Sequence, residues 1–257
     1  MSCHLLRRLF SLLLALTLPA WLAAASPLEE SAALIKEGKF LAAERLIEPL
    51  ATGKRPEAEA LFQLSQVRAA QHQLPEAVKL AERALKLESG HAAYHAQLGS
   101  ALWQQAQDRG SFIDADRIRK EFERALALDA NHVPALLGLA RFHLSSIAGK
   151  HTSVKKARDY ATRAAELDPV LGSIELGDIA ARSMDLAGAL AHYQRAIEAN
   201  PKNEAAQFSC GMALMQLKRR DEARVHFQTA LKLRPGYEPA KQGLEALDAP
   251  AAIGAPK

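Results

Sequence analysis

Two stretches that repeat each other decide the fold of this chain: residues 176–201, LGDIAARSMDLAGALAHYQRAIEANP, and residues 210–235, CGMALMQLKRRDEARVHFQTALKLRP. They align without a gap at an offset of 34 residues. At that offset glycine, aromatic, alanine and proline positions all coincide: Gly177 with Gly211, Tyr193 with Phe227, Ala189 with Ala223, Ala196 with Ala230, and Pro201 with Pro235. A fixed period of this length predicts stacked copies of one supersecondary unit.

Each part of the pattern has a physical reason. Small residues let two helices approach closely, and an aromatic side chain fills the space between neighbouring helix pairs. Proline ends the second helix because it lacks an N–H group and clashes with the preceding turn. A single pair cannot bury its apolar face alone, whereas stacked pairs bury it continuously. This pattern, at a period of 34 residues, resembles the tetratricopeptide repeat (TPR) family.

The resemblance implies an all-α fold, a right-handed superhelical solenoid of about six helix pairs closed by a C-terminal capping helix. The array is expected over residues 26–247, in units 27–57, 58–91, 92–132, 133–169, 170–203 and 204–237, with the capping helix at 238–247. Residues 248–257 are rich in Ala, Pro and Gly, which predicts a disordered tail.

Two units carry extra residues between their helices, at 104–115 and 147–154. Both insertions fall inside a unit, so both are expected on the same edge of the solenoid. They either form long polar turns that shape a rim of the binding groove, or simply lengthen the helices by a turn.

The first 25 residues have the layout of a secretory signal peptide. Arg7 and Arg8 precede a leucine-rich run at 9–18, and the small residues 23–25 precede Ser26. The apolar run is short for a membrane-spanning helix, and no stop-transfer stretch follows it. We therefore expect cleavage before Ser26, export across the inner membrane to the periplasm, and no stable membrane span afterwards. The alternative is a retained N-terminal anchor.

Charge and cysteine content argue against two further classes. The chain has 33 basic and 29 acidic residues, and loss of Arg7 and Arg8 with the signal lowers the net charge from +4 to +2. This near balance, without a run of like charges, predicts no nucleic-acid partner. Cys3 leaves with the signal and Cys210 remains alone, so no intrachain disulfide is expected and the fold must be held by packing.

In TPR proteins the first helices of successive units line a concave groove that binds protein or peptide segments. By register, the resemblance assigns these peptide-groove candidates: Phe62, Gln66, Ser100, Trp103, Leu137, Arg141, Asp178, Arg182, Phe208, Met212 and Met215. Trp103 and Arg141 are the strongest, because the repeat requires neither and both residue types often anchor interfaces. Leu137 and Phe208 could equally pack against a second helix. The lysine–asparagine set with which some TPR proteins clamp a C-terminal carboxylate is absent from these positions, so that type of binding is not expected.

Catalytic motifs are not found. His91 and His95 have the spacing of paired zinc ligands, but Ala92 stands where a metalloprotease carries its glutamate. There is no G-x-S-x-G and no G-x-G-x-x-G motif. The sequence therefore predicts no catalytic residue, no cofactor and no metal.

The functional prediction is an exported adaptor or scaffold that binds a protein or peptide partner in its groove, in assembly of the cell envelope. The alternative is a structural protein that acts through contacts between its own copies. The sequence leaves the oligomeric state and the identity of the partner open.

Overall fold

The computed structural model describes residues 25–110 and 114–248, which form thirteen α-helices and one short 3-10 helix. The predicted signal peptide lies outside the described residues except for Ala25, and the predicted tail except for Asp248. The helices are α1 Pro27–Lys36, α2 Phe40–Thr52, α3 Ala58–Ala70, α4 Leu74–Leu87, α5 Ala92–Arg109, α6 Ala115–Leu128, α7 Val133–Leu144, α8 Val154–Leu167, α9 Pro169–Arg182, α10 Leu186–Ala199, α11 Glu204–Gln216, α12 Arg220–Leu233 and α13 Glu238–Asp248.

The helices pair in chain order, from α1 with α2 to α11 with α12, and α13 closes the array. Each first helix also contacts the first helix of the next pair, so α1, α3, α5, α7, α9 and α11 form one continuous layer. Successive second helices make no comparable contacts within the described ranges. The layer of first helices is therefore the inner, concave side. The predicted all-α solenoid is confirmed.

The helices begin where the sequence supplies a cap. Ser26 and Glu29 form a capping box at α1: the Ser26 hydroxyl accepts from the Glu29 N–H at 3.2 Å, and the Glu29 carboxylate accepts from the Ser26 N–H at 2.8 Å. Asp168 caps α9 by accepting from the N–H groups of the first turn. Such caps satisfy amide donors that have no partner inside the helix.

Pro169 marks one difference from the predicted unit boundaries. The sequence pattern assigned it to the end of the fourth unit, but it occupies the first position of α9. Asp168, in extended conformation, ends α8 and starts α9 at once. Proline fits there because the N–H group of the first helical residue makes no hydrogen bond within the helix, so its absence breaks no bond.

Four of the turns within pairs share one geometry. In each, one residue adopts a positive φ: Gly38 (73°), His72 (58°), Met184 (62°) and Lys218 (61°). The next N–H then donates five residues back, as in Lys39 N–H to Leu34 O at 2.8 Å. This is the Schellman ending of an α-helix, which turns the chain sharply into the second helix.

Aromatic side chains of second helices pack onto glycines of first helices. Phe122 of α6 lies between Gly99 of α5 and Gly138 of α7; a Cβ added at Gly138 would come within 2.3 Å of its ring. Phe227 of α12 lies in the same way between Gly211 and Gly243. The glycines of the repeat are therefore required by close approach.

Of the two alternatives for the insertion at 104–115, the structure shows the longer helix. α5 continues through Arg109 and ends at Gly110, whose φ is +59°. Ala106 remains buried against the core, so the apolar spacing carries the helix past the expected end. The second insertion contains a 3-10 helix, Ser146–His151, and the His151 ring contacts Asp116 of α6 at 2.9 Å.

Candidate functional site

The concave layer contains a cavity of about 400 Å³ between α3, α5 and α7. Its walls are largely apolar: Phe62, Ala93, Ala96, Phe122, Leu137 and Leu171. Polar side chains line the open side: Gln66, Gln97, Ser100 and Gln104. We call this the apolar cavity.

The repeat packing itself creates the apolar cavity. Gly138 lines it and carries no side chain, because the Phe122 ring lies directly beneath. The Phe62 ring packs on Tyr94 with 5.0 Å between ring centroids, which fixes the opposite wall. The cavity is thus shaped by residues that are also part of the core.

A second, more polar cavity of about 370 Å³ adjoins the first between α5, α7 and α9. It is lined by Trp103, Gln107, Arg141, Leu144, Ser145, Asp178 and Arg182. Trp103 and Arg141 line both cavities and form the wall between them. We call this the polar cavity, and the two together the groove.

Arg141 is held by an acidic residue that the sequence reasoning did not select. Its Nε donates to Glu175 Oε2 at 2.7 Å. The Glu175 side chain is 2% exposed, whereas that of Arg141 is 50% exposed. Burial raises the pKa of Glu175, and Arg141 partly opposes the rise. The carboxylate therefore works as an internal anchor for a guanidinium that faces the groove.

Asp178 has a tyrosine partner. It lies four residues before Arg182 on α9, and its Oδ1 accepts the Tyr193 O–H at 2.6 Å. Burial raises the pKa of Asp178, while the Tyr193 hydrogen bond lowers it. Arg182 is exposed and makes no hydrogen bond or ion pair within residues 25–110 and 114–248.

The structure brings eight of the eleven sequence-predicted groove residues to these two cavities: Phe62, Gln66, Ser100, Trp103, Leu137, Arg141, Asp178 and Arg182. Leu137 is 6% exposed and is part of the wall. The other three, Phe208, Met212 and Met215, pack against the C-terminal core cluster. Phe208 contacts Phe227 and Tyr237, each at 5.8 Å between ring centroids.

The two histidines with the spacing of zinc ligands each contact a different glutamate. His91 contacts Glu88, and His95 contacts Glu121. In the described part of the chain no group of three or more His, Cys, Asp or Glu residues could hold a metal ion. No described helix combines the length and apolarity needed to cross a membrane.

Cys210 has a histidine neighbour but lies inside the core. Its Sγ is 3.5 Å from His226 Nε2, and His226 Nδ1 is 2.8 Å from Gln207 Oε1. The thiol is fully buried, and burial raises the pKa of Cys210 to about 11. A thiol without solvent access and with a raised pKa is a poor nucleophile.

Comparison with known proteins agrees with the fold. Residues 180–247 match the family model described as tetratricopeptide repeat. The chain is similar to the crystal structure of the APC/C hetero-tetramer Cut9–Hcn1, with 16% identity and a TM-score of 0.66, over 86% of this chain and 42% of that one. It is also similar to the structure of PilF from Pseudomonas aeruginosa, with 14% identity and a TM-score of 0.56, over 86% of this chain and 96% of that one.

No curated protein sequence matches the chain at a significant level. At such low identities the likeness to solved structures concerns the fold alone. The 34-residue period and the stacked helix pairs identify a helical-repeat solenoid, and residues 180–247 of it match the tetratricopeptide-repeat family model.

Proposed function

We propose that this chain is an exported TPR adaptor that binds a protein segment in its groove and serves assembly of the cell envelope, without catalysis of its own. TPR proteins in general are scaffolds for protein interaction, typically non-catalytic, and their curvature provides an extended concave surface. The observation that carries the proposal is the pair of adjoining cavities on that surface, joined at Trp103 and Arg141.

The groove has the composition of a site that takes up side chains of a partner. It combines an apolar cavity with a few placed polar groups, the usual make-up of a binding pocket. Trp103 packs partly on the core and partly lines the groove, so its ring is held rigidly where a partner would contact it. Tryptophan and arginine anchors in such positions contribute most strongly to protein interfaces.

Support for export comes from the sequence before the first helix and from the start of that helix. Cleavage before Ser26 would convert its N–H into a terminal ammonium group. The Glu29 carboxylate is 2.8 Å from that nitrogen, so the new charge would be paired. Pairing offsets the unfavourable placement of a cation at the positive end of the helix dipole.

The test is cross-linked affinity purification of the exported protein with a groove-filling variant, Ser100→Trp. Ser100 lines the apolar cavity, and the larger side chain occupies space that a partner needs. Thr162→Trp makes the same kind of change at an exposed position of α8 and is the matched control. We expect capture of the partner to fall roughly tenfold or more, equivalent to about 1.4 kcal/mol, in Ser100→Trp only.

Equal capture by Ser100→Trp would move binding to another surface of the solenoid. Recovery of nothing but further copies of this chain would favour self-association. The mass of the purified protein tests export in the same experiment, because a cleaved chain begins at Ser26.

A further inference from the structure

The polar cavity contains arginine donor groups that the described part of the protein does not pair. Arg141 uses Nε on Glu175, which leaves its two terminal amino groups uncommitted on a half-exposed side chain. Arg182 adds a second guanidinium with no ion pair among the described residues. A ligand acceptor that reaches both guanidinium groups gains charge-assisted hydrogen bonds.

The two acids nearby each already accept a hydrogen bond. Glu175 accepts from Arg141, and Asp178 Oδ1 accepts from the Tyr193 hydroxyl. The Ser145 hydroxyl donates to the Phe142 carbonyl. None of these three residues pairs with Arg182 or with the terminal amino groups of Arg141, and a carboxylate complements these groups best because it can accept from several donors at once.

The local charge also favours an acidic ligand. Arg141 and Arg182 stay protonated at any relevant pH. Glu175 pairs with Arg141 and Asp178 accepts from Tyr193, so Arg182 is a cation without an ion pair among the described residues. Both arginines line the polar cavity, and of the two acids only Asp178 does.

We propose that the polar cavity binds an internal aspartate or glutamate side chain of the partner segment, next to an apolar side chain that enters the apolar cavity. This rests on the proposed function of the groove. Trp103 and Arg141 separate the two cavities, so the two ligand side chains lie close in sequence. Packed helices are about 8–10 Å apart and an extended chain rises about 3.3 Å per residue, which gives a separation of about three residues or fewer.

The acidic group is internal because the inner layer of helices continues on both sides of the polar cavity. Phe62 and Gln66 of α3 lie beyond it in one direction. The inner layer continues in the other direction through α11, which contacts α9. A bound segment can therefore pass through the polar cavity without ending there.

The experiment uses the mature chain and pools of synthetic nine-residue peptides blocked at both ends. Each pool fixes one leucine and places Glu, Gln or Lys one to three positions away. We expect the Glu pools to be retained roughly tenfold more than the Gln and Lys pools, since charge-assisted hydrogen bonds are about twice as strong as neutral ones. Equal retention of Glu and Gln pools overturns the proposal.

Variants test whether the named donor residues cause the preference for Glu pools over Gln and Lys pools. Arg182→Glu is expected to abolish the preference for Glu pools and to favour Lys pools. Arg195→Glu, at an exposed position of α10, is the matched control and should change nothing. A Glu preference that persists in Arg182→Glu contradicts the assignment.

Two outcomes separate this inference from the proposed function. If the same peptides with an unblocked C-terminus bind and the blocked pools do not, the groove recognises a chain end, and the proposal of an internal acidic side chain is wrong. If neither set of peptides binds, or if Ser100→Trp leaves binding of every pool unchanged, the groove itself is not the binding surface. Circular dichroism of each variant confirms that the helices are intact.

Discussion

Replacing Gly172 by alanine is expected to destabilise the protein by about 3 kcal/mol or more, although alanine normally favours a helix by about 1 kcal/mol. A Cβ at this position would lie 2.2 Å from the backbone nitrogen of Ala165 and 2.3 Å from its Cα. These are backbone atoms at the end of α8, so no side-chain rotation can relieve the clash. The junction between α8 and α9 must open, and the fourth and fifth units lose their contact.

The free energy of unfolding from urea denaturation, followed by far-UV circular dichroism, measures this effect. Gly236→Ala is the matched control, because a Cβ there has no heavy atom within 4 Å. We expect that variant to stay within about 0.5 kcal/mol of the wild type, as is usual for surface substitutions. A Gly172→Ala protein as stable as the wild type would show that α8 and α9 do not approach this closely.

Replacing Phe122 by alanine is expected to cost about 3–5 kcal/mol and to weaken ligand binding as well. The side chain is 2% exposed, packs between Gly99 and Gly138, and forms the floor of the apolar cavity. Two glycines cannot move inward to fill the space, so a void remains beneath the groove. An apolar side chain of the ligand then loses its contact surface.

Phe227→Ala separates the two effects of Phe122→Ala. Phe227 is fully buried between Gly211 and Gly243, in the same kind of contact, but it does not line the groove. Contacts in a solenoid are made mainly between neighbouring units, so the loss of stability should be similar while the groove is preserved. Denaturation and retention of the Glu peptide pools measure stability and binding. If Phe122→Ala and Phe227→Ala lose equal amounts of binding, Phe122 does not contribute to binding through its position at the floor of the groove.

The sequence was sufficient for the architecture because the packing requirements recur at a fixed distance. Gly177 and Gly211 repeat at 34 residues because each accepts the aromatic ring of its own unit, Tyr193 and Phe227. The insertion at 104–115 was predicted as one of two alternatives, a polar turn or a longer helix, and the longer helix is observed. Ala106 continues the buried spacing of α5 and packs on the core, which favours the helix there.

The groove residues were predicted in part. The repeat register shows that a residue lies on the inner face of its helix, but it does not show whether another part of the chain packs over that residue. Trp103 and Arg141 lie where the register puts them. Phe208 does not remain free, because α13 contacts α11 and brings Tyr237 against its ring.

Glu175 was not predicted as a groove residue, because a glutamate on a helix is normally exposed to solvent. Its position 34 residues after Arg141 is the signal that pairs the two, since the same period brings first helices together.

The most direct test of the central claim, that the concave groove holds the partner, is photo-cross-linking in the producing cell. A photoreactive phenylalanine analogue is placed at Gln66 or at Gln107, one at each cavity, and at Thr162 on α8 as the control. We expect both groove positions to cross-link to the same partner and Thr162 not to cross-link to it. Cross-linking of that partner from Thr162, with none from either groove position, would contradict it.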